Sequence, residues 1–269
     1  MNQILRELRQ TVSASRLNTF HQCRLKFFFR YVAEIQKPGT PALFVGKTVH
    51  SVLQGWNLAR WRGEPRGQEF FRAMFDTLWR DPENNADIRW RGEEDQQKAT
   101  AWSMIEAYFQ QTPIPMGEKP QGVEVAIEAD LIHRGLTKLV GIIDLVRPWG
   151  RIVDFKTTSI TPSADRTSHQ NGLQLTCYGL LYREATGQRE SGFELHHLVK
   201  LKQPKVVIVE VGKVTQSQES RLYRIVESYL NGLESQDFVP SPGLSCMGCE
   251  YFRECKAWTG NYVQRKLAA

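Results

Sequence analysis

Residues 141–158 read GIIDLVRPWGRIVDFKTT, and this stretch organises the rest of the chain. Two apolar runs, Ile142 to Val146 and Ile152 to Phe155, flank Pro148, Trp149 and Gly150, a set of turn formers. A hairpin centred on Trp149 sets Asp144 opposite Asp154. Side chains alternate along a strand, so Asp144, Asp154 and Lys156 share one face, while Ile143, Leu145, Val153 and Phe155 share the other. Carboxylates facing each other across a ladder repel unless positive charge lies between them. A divalent cation held by oxygen ligands relieves that repulsion, and Lys156 adds charge at the same place. The competing reading is a solvated polar face on an edge hairpin, with Lys156 paired to one aspartate.

At 269 residues the chain is one large domain or two small ones, long enough to bury a substantial core. Its net charge of +6, from 35 basic and 29 acidic residues, leans weakly toward a polyanionic partner. No stretch is long and apolar enough to span a bilayer. The start, MNQILRELRQT, lacks the apolar core of a secretory signal, which points to a cytoplasmic, reducing setting. Five cysteines in such a setting suggest metal binding more than disulfides.

Near the N-terminus, SRLNTFHQCRLKFFFRYV reads as a helical region that Ser13 or Ser15 can cap. Cys23 sits in its middle, and alone it reads as a small buried hydrophobe. Arg24, Lys26 and Arg30 beside Phe27 to Phe29 suggest a basic, aromatic path for single-stranded DNA, although the same rings serve equally as core. After a turn over Pro38 to Pro41, FVGKTVHSVLQGWNLARW has helical periodicity, with His50 expected near the helix start. Gly46, Lys47 and Thr48 do not make a phosphate-binding loop, because Pro41 stands where its first glycine belongs.

GQEFFRAMFDTLWR and QKATAWSMIEAYFQQ read as core-packing helices, with an exposed loop from Asp81 to Gln97 between them. GVEVAIEADLI alternates as a strand, and Glu124 either joins the acidic site or faces water. SHQNGLQLTCYGLLYREATG reads as a helix with Gln174 and Tyr178 one turn apart on one face. FELHHLVKL and KVVIVEV are strands in which His196 and His197 must point to opposite faces, and SQESRLYRIVESYLNGL is an amphipathic helix. The tail, FVPSPGLSCMGCEYFREC, puts Cys246, Cys249 and Cys255 in a short span, with Cys23 the best candidate for a fourth ligand. Four thiolates suit zinc or a four-iron, four-sulfur cluster, and spacing does not choose between them.

With these residues assembled, the chain resembles the RecB-like branch of the PD-(D/E)XK nuclease superfamily. More narrowly, it is similar to the iron–sulfur members typified by the AddB nuclease domain and the CRISPR-adaptation exonucleases. The resemblance rests on SASRLNTFHQCRLKFFFRY, GKTVH, GIID, DFK, Gln174 with Tyr178, and CMGCEYFREC, and it covers nearly the whole chain. It implies an α/β fold: a restriction-endonuclease-like core, a central mixed sheet flanked by helices, with an N-terminal helical region and a cysteine-rich C-terminal tail packed against it. The expected organisation is one domain over 1–269: a mainly helical region at 1–120, a catalytic sheet core at 121–212, and a helix and cluster-binding tail at 213–269.

The resemblance also implies a metal-dependent DNA exonuclease acting on single strands or DNA ends, in repair, recombination or CRISPR adaptation. His50, Asp144, Asp154 and the backbone carbonyl of Phe155 become the ligands of Mg2+ or Mn2+. Asp144, Asp154, Lys156, Gln174 and Tyr178 become the catalytic set. Cys23, Cys246, Cys249 and Cys255 become ligands of a 4Fe-4S cluster, with zinc the alternative. The expected partners are DNA and other proteins of a repair or adaptation complex, with no membrane. The rival expectation is a non-catalytic, nucleic-acid-binding subunit that keeps the fold as a scaffold.

Overall fold

The computed structural model describes residues 3–81 and 88–260. In chain order its elements are α1 (Gln3–Gln10), β1 (Thr11–Val12), α2 (Ala14–Gln22), α3 (Arg24–Phe27), α4 (Pro41–Arg62), α5 (Gln68–Arg80) and α6 (Glu94–Gln111). There follow β2 (Gly122–Ala129), β3 (Lys138–Arg147), β4 (Arg151–Thr158), α7 (Ala164–Thr186), β5 (Gly192–Val199), β6 (Lys205–Val211), α8 (Gln216–Glu234) and α9 (Phe252–Ala257). They fall into two compact units, one from Met1–Lys37, Glu128–Val140 and Gln216–Ala269, the other from Pro38–Ile127 and Gly141–Thr215.

The second unit carries most of a mixed sheet. β3 and β4 are antiparallel, β4 and β5 parallel, and β5 and β6 antiparallel, while β2 pairs with β3. The parallel pair is joined by α7, the crossover that parallel neighbours require. The β3–β4 ladder pairs Leu145 with Val153, Val146 with Ile152 and Arg147 with Arg151, so Trp149 is its centre as expected. Trp149 and Gly150 both take left-handed backbone (φ 65° and 69°), which reverses the chain tightly and leaves the indole in solvent. Leu145, Val153, Phe155 and Leu198 turn toward α4, α5 and α6 and share a core with Phe44, Val49, Trp56, Phe75 and Tyr108.

Helix α4 starts earlier than the periodicity suggested. Thr40 caps it by accepting from the Leu43 N–H at 3.2 Å, and Pro41 opens the first turn, where a missing N–H costs nothing. His50 is therefore in mid-helix. Residues 82–87 of the expected Asp81–Gln97 loop lie outside the described residues, and the remainder is less exposed than expected. Ile88 packs on the core, Trp90 stacks on Trp79 with ring centroids 5.4 Å apart, and α6 already begins at Glu94. Behind the hairpin turn, Arg147 binds Glu118 at 2.8 Å and Glu194 at 2.9 Å, a partly buried ion network whose members look like surface charges in the sequence.

In the first unit β1 pairs in parallel with the start of β3 through Thr11–Lys138 and Val12–Leu139. The expected helical region around Cys23 is two helices. Cys23 adopts extended backbone (φ −163°, ψ 111°), ends α2 by donating its N–H to Thr19, and starts α3 by accepting from the Lys26 N–H on Sγ. Phe20, Phe27 and Tyr229 meet edge to face at 5.2–5.7 Å, and Tyr229 Oη donates to the Leu8 carbonyl at 2.9 Å. Phe27 and Phe29 are buried, Arg24 is ion-paired to Asp237 and Lys26 to Glu250. Phe27 and Phe29 thus serve the core, because this short amphipathic segment uses its rings to bury itself, and Phe28 is half-buried against Phe29 and Phe238.

Candidate active site

The hairpin ladder stops one pair short of the two aspartates. At the next position Asp144 Oδ2 accepts the backbone N–H of Phe155 at 3.0 Å, so its carboxylate is fastened to β4 beside Asp154. Asp154, only 2 % exposed, is held from α7. Its Oδ1 accepts from Gln174 Nε2 at 2.8 Å and from Tyr178 Oη at 3.5 Å. Gln174 Nε2 also donates to Tyr178 Oη at 2.8 Å, while Gln174 Oε1 accepts from Lys156 Nζ at 2.9 Å. Every polar atom of that amide is thereby used, which fixes its orientation. Asp154 Oδ2 faces Lys156 Nζ at 2.8 Å as an ion pair but has no hydrogen bond of good geometry.

His50 approaches from α4. Its Nδ1 lies 3.6 Å from Asp144 Oδ2, and its ring stands edge-on to Phe155 with centroids 6.1 Å apart. Burial lowers its proton affinity, against the charge of Asp154 and a hydrogen bond with the Phe155 backbone, which raise it. The Asp144 carboxyl is pushed well up, first by burial and then by the charge of Asp154; Glu124 adds to the push. Two acids in one dry place cannot both ionise cheaply without a compensating cation.

Glu124 reaches this neighbourhood through a bend that its alternating sequence does not announce. It takes φ 49° within β2, where a side chain is strained, and the bend folds Gly122 back toward Val125. Burial raises its carboxyl, and it lines a cavity of about 530 Å³ together with His50, Lys47, Ser51, Gln54 and Thr157. The site residues expected from the sequence, namely His50, Asp144, Asp154, Phe155, Lys156, Gln174 and Tyr178, all come together in the second unit.

The chemistry of this donor set fits a hard divalent cation: clustered carboxylates, one of them with a buried oxygen that accepts no hydrogen bond, an imidazole and a backbone carbonyl. Among the described residues no three His, Cys, Asp or Glu side chains already stand in a metal-holding arrangement. In the first unit Cys23, Cys246, Cys249 and Cys255 border a single cavity of about 50 Å³. The Cys255 thiol is pushed up by burial and by the other three sulfurs. Cys177 is buried and belongs to the other unit.

A mixed sheet presenting two carboxylates and a lysine at the end of a hairpin, backed by a glutamine and tyrosine from a crossover helix, defines a nuclease scaffold. The chain belongs to the PD-(D/E)XK nuclease superfamily, whose sequence profile matches residues 11–256. Its fold is similar to the crystal structure of a protein from Eubacterium rectale provisionally assigned as an exonuclease. That structure has a TM-score of 0.64 and 16% identity, covering 99% of this chain and 94% of the other. SSO0001, with 13% identity, covers 90% of this chain and 95% of its own, but its TM-score of 0.37 carries no argument. No curated protein matches the sequence. No described helix is long and apolar enough to cross a membrane.

Proposed function

We propose that this chain is a metal-dependent deoxyribonuclease that removes nucleotides from single strands or DNA ends. The observation that carries this reading is Asp154 Oδ2, a buried carboxylate oxygen without a hydrogen bond, in a site that already crowds a second acid. Asp144, Asp154, His50 and the Phe155 carbonyl would hold Mg2+ or Mn2+, the ions typical of the superfamily, with Glu124 as a further carboxylate. The imidazole tilts the preference toward manganese. The bound cation supplies Lewis-acid polarisation of the phosphate and eases ionisation of a water.

The chain's own residues do the remaining work. Lys156 orients the attacking water and stabilises negative charge as it builds on the phosphate oxygens. Gln174 holds that ammonium on its amide oxygen while its nitrogen is anchored to Asp154 and Tyr178. Tyr178 keeps both in place. Crowded positions of this kind favour near-attack geometry over mere binding.

The four thiols around one cavity support a 4Fe-4S cluster held by Cys23, Cys246, Cys249 and Cys255, with zinc as the second choice. Its role here is to tie the break between α2 and α3 to the C-terminal tail. The resemblance supports a role in DNA repair, recombination or CRISPR adaptation, alongside protein partners. Digestion of end-labelled single-stranded and duplex DNA with Mg2+, Mn2+ or chelator tests the reading. Shortening of labelled strands with either metal and none with chelator is expected; DNA binding without cleavage would favour the scaffold reading instead.

A further inference from the structure

Strand β5 is buried along its whole length, and its register sets His196 beside Phe155 and His197 beside Lys156. Paired residues on neighbouring strands point to the same face. His196 therefore joins the core face, where Nδ1 meets Tyr108 Oη at 3.0 Å and Nε2 meets Glu194 Oε2 at 2.9 Å. His197 stands on the face of Asp154 and Lys156. It is 7% exposed, and neither ring nitrogen has a hydrogen-bond partner. A buried polar group left unsatisfied is costly, and an apolar side chain of similar shape would fill the same space without that cost.

The neighbouring lysine gives this imidazole a use. Lys156 sits on Gln174 Oε1 and beside Asp154 Oδ2. Asp154 Oδ1 is already taken by Gln174 and Tyr178, so Oδ2 is the oxygen Asp154 can offer a cation. A cation there repels the ammonium, which must then find a second acceptor. Another carboxylate would add negative charge to an already crowded acidic site; a neutral imidazole accepts from the ammonium without adding any. Burial favours the neutral ring of His197, and the charge of Lys156 acts in the same direction against that of Asp154.

We propose that His197 is a positioning residue, whose ring nitrogen accepts the Lys156 ammonium when a divalent cation takes Asp154 Oδ2. The assignment rests on the metal-dependent nuclease reading and adds to it a residue that acts through the lysine without touching the ion. His197→Phe keeps the ring volume and removes both nitrogens; His197→Gln restores an acceptor. Each is compared with wild type in Mn2+-dependent digestion of end-labelled DNA, in calorimetric titration with Mn2+ alone, and in thermal melting.

The expected result for His197→Phe is a kcat reduced about tenfold with KM nearly unchanged, the scale of one lost hydrogen bond. Its Mn2+ affinity falls about fivefold, because the lysine stays on Asp154. Its melting temperature is equal or higher, and His197→Gln recovers most of both losses. A residue that only packs would move the melting temperature and leave kcat and Mn2+ affinity alone, which overturns the proposal. So does a His197→Gln variant as impaired as His197→Phe. Should the phenyl ring prevent folding, His197→Leu makes the same comparison. Wild-type protein that neither binds Mn2+ nor cleaves DNA overturns the nuclease reading itself, whereas active wild type with an unaltered His197→Phe overturns this assignment alone.

Discussion

Lys156 Nζ lies 2.8 Å from Asp154 Oδ2, the carboxylate oxygen that accepts no hydrogen bond. The ammonium thus stands where a ligated cation would act on Asp154, and it balances a buried negative charge. In the proposed mechanism this lysine also serves the phosphate.

Removing either partner should therefore stop the reaction without undoing the fold. Asp154→Ala and Lys156→Ala are each expected to lower cleavage of labelled DNA by about 100-fold or more. Gln174→Ala, which removes an acceptor from the lysine and a donor from Asp154 but leaves both side chains in place, is expected to cost about tenfold. Circular dichroism and melting curves check that the variants are folded. Substantial cleavage by both of the first two variants would count against the assignment.

Asp144 gives a stability prediction with a definite sign. Its carboxyl is raised by burial and by Asp154, so the folded state holds a proton that the unfolded state has lost. Stability from this source falls as pH rises from the ordinary 3.8 toward the raised value. Metal-free protein should melt higher in mild acid than at neutral pH. Asp144→Asn should flatten that slope and stabilise the neutral protein by about 1 kcal/mol, the scale of opposed like charges, while abolishing cleavage. An unchanged slope in differential scanning fluorimetry would contradict this.

Glu194 predicts the opposite slope at lower pH. Burial works to raise its carboxyl, but His196, Arg147 and Arg151 outweigh that and hold it down at about 2. Burial lowers the proton affinity of His196, while its hydrogen bond with Glu194 and that residue's charge raise it, and Arg147 and Arg151 complete the ion network around the carboxylate. This contribution is complete above the ordinary 4.5 and is lost as pH falls toward about 2. Acid unfolding of Glu194→Gln should begin from lower stability at neutral pH and show a shallower acid limb.

The thiol cavity predicts a colour. Anaerobically purified protein should be brown, with broad visible absorbance that Cys246→Ala abolishes and Cys177→Ala retains. Colourless protein containing zinc would replace the iron–sulfur assignment with its alternative.

What the sequence made legible was local and periodic. The hairpin centre at Trp149 follows from turn chemistry between two alternating runs, and the pairing of Gln174 with Tyr178 follows from helical spacing. The left-handed Glu124 and the extended Cys23 were not legible, because each breaks an otherwise regular element in favour of contacts made far along the chain. Arg147, Glu118 and Glu194 resemble surface charges until the fold buries them together. His197 was placed on the face opposite His196, but nothing in its neighbours announced that β5 would be covered on both sides.

The most direct measurement is anomalous diffraction from crystals soaked in Mn2+. One manganese peak within ligating distance of Asp144, Asp154 and His50 is the predicted result. Manganese absent from that position, or bound only elsewhere on the protein, would contradict the account.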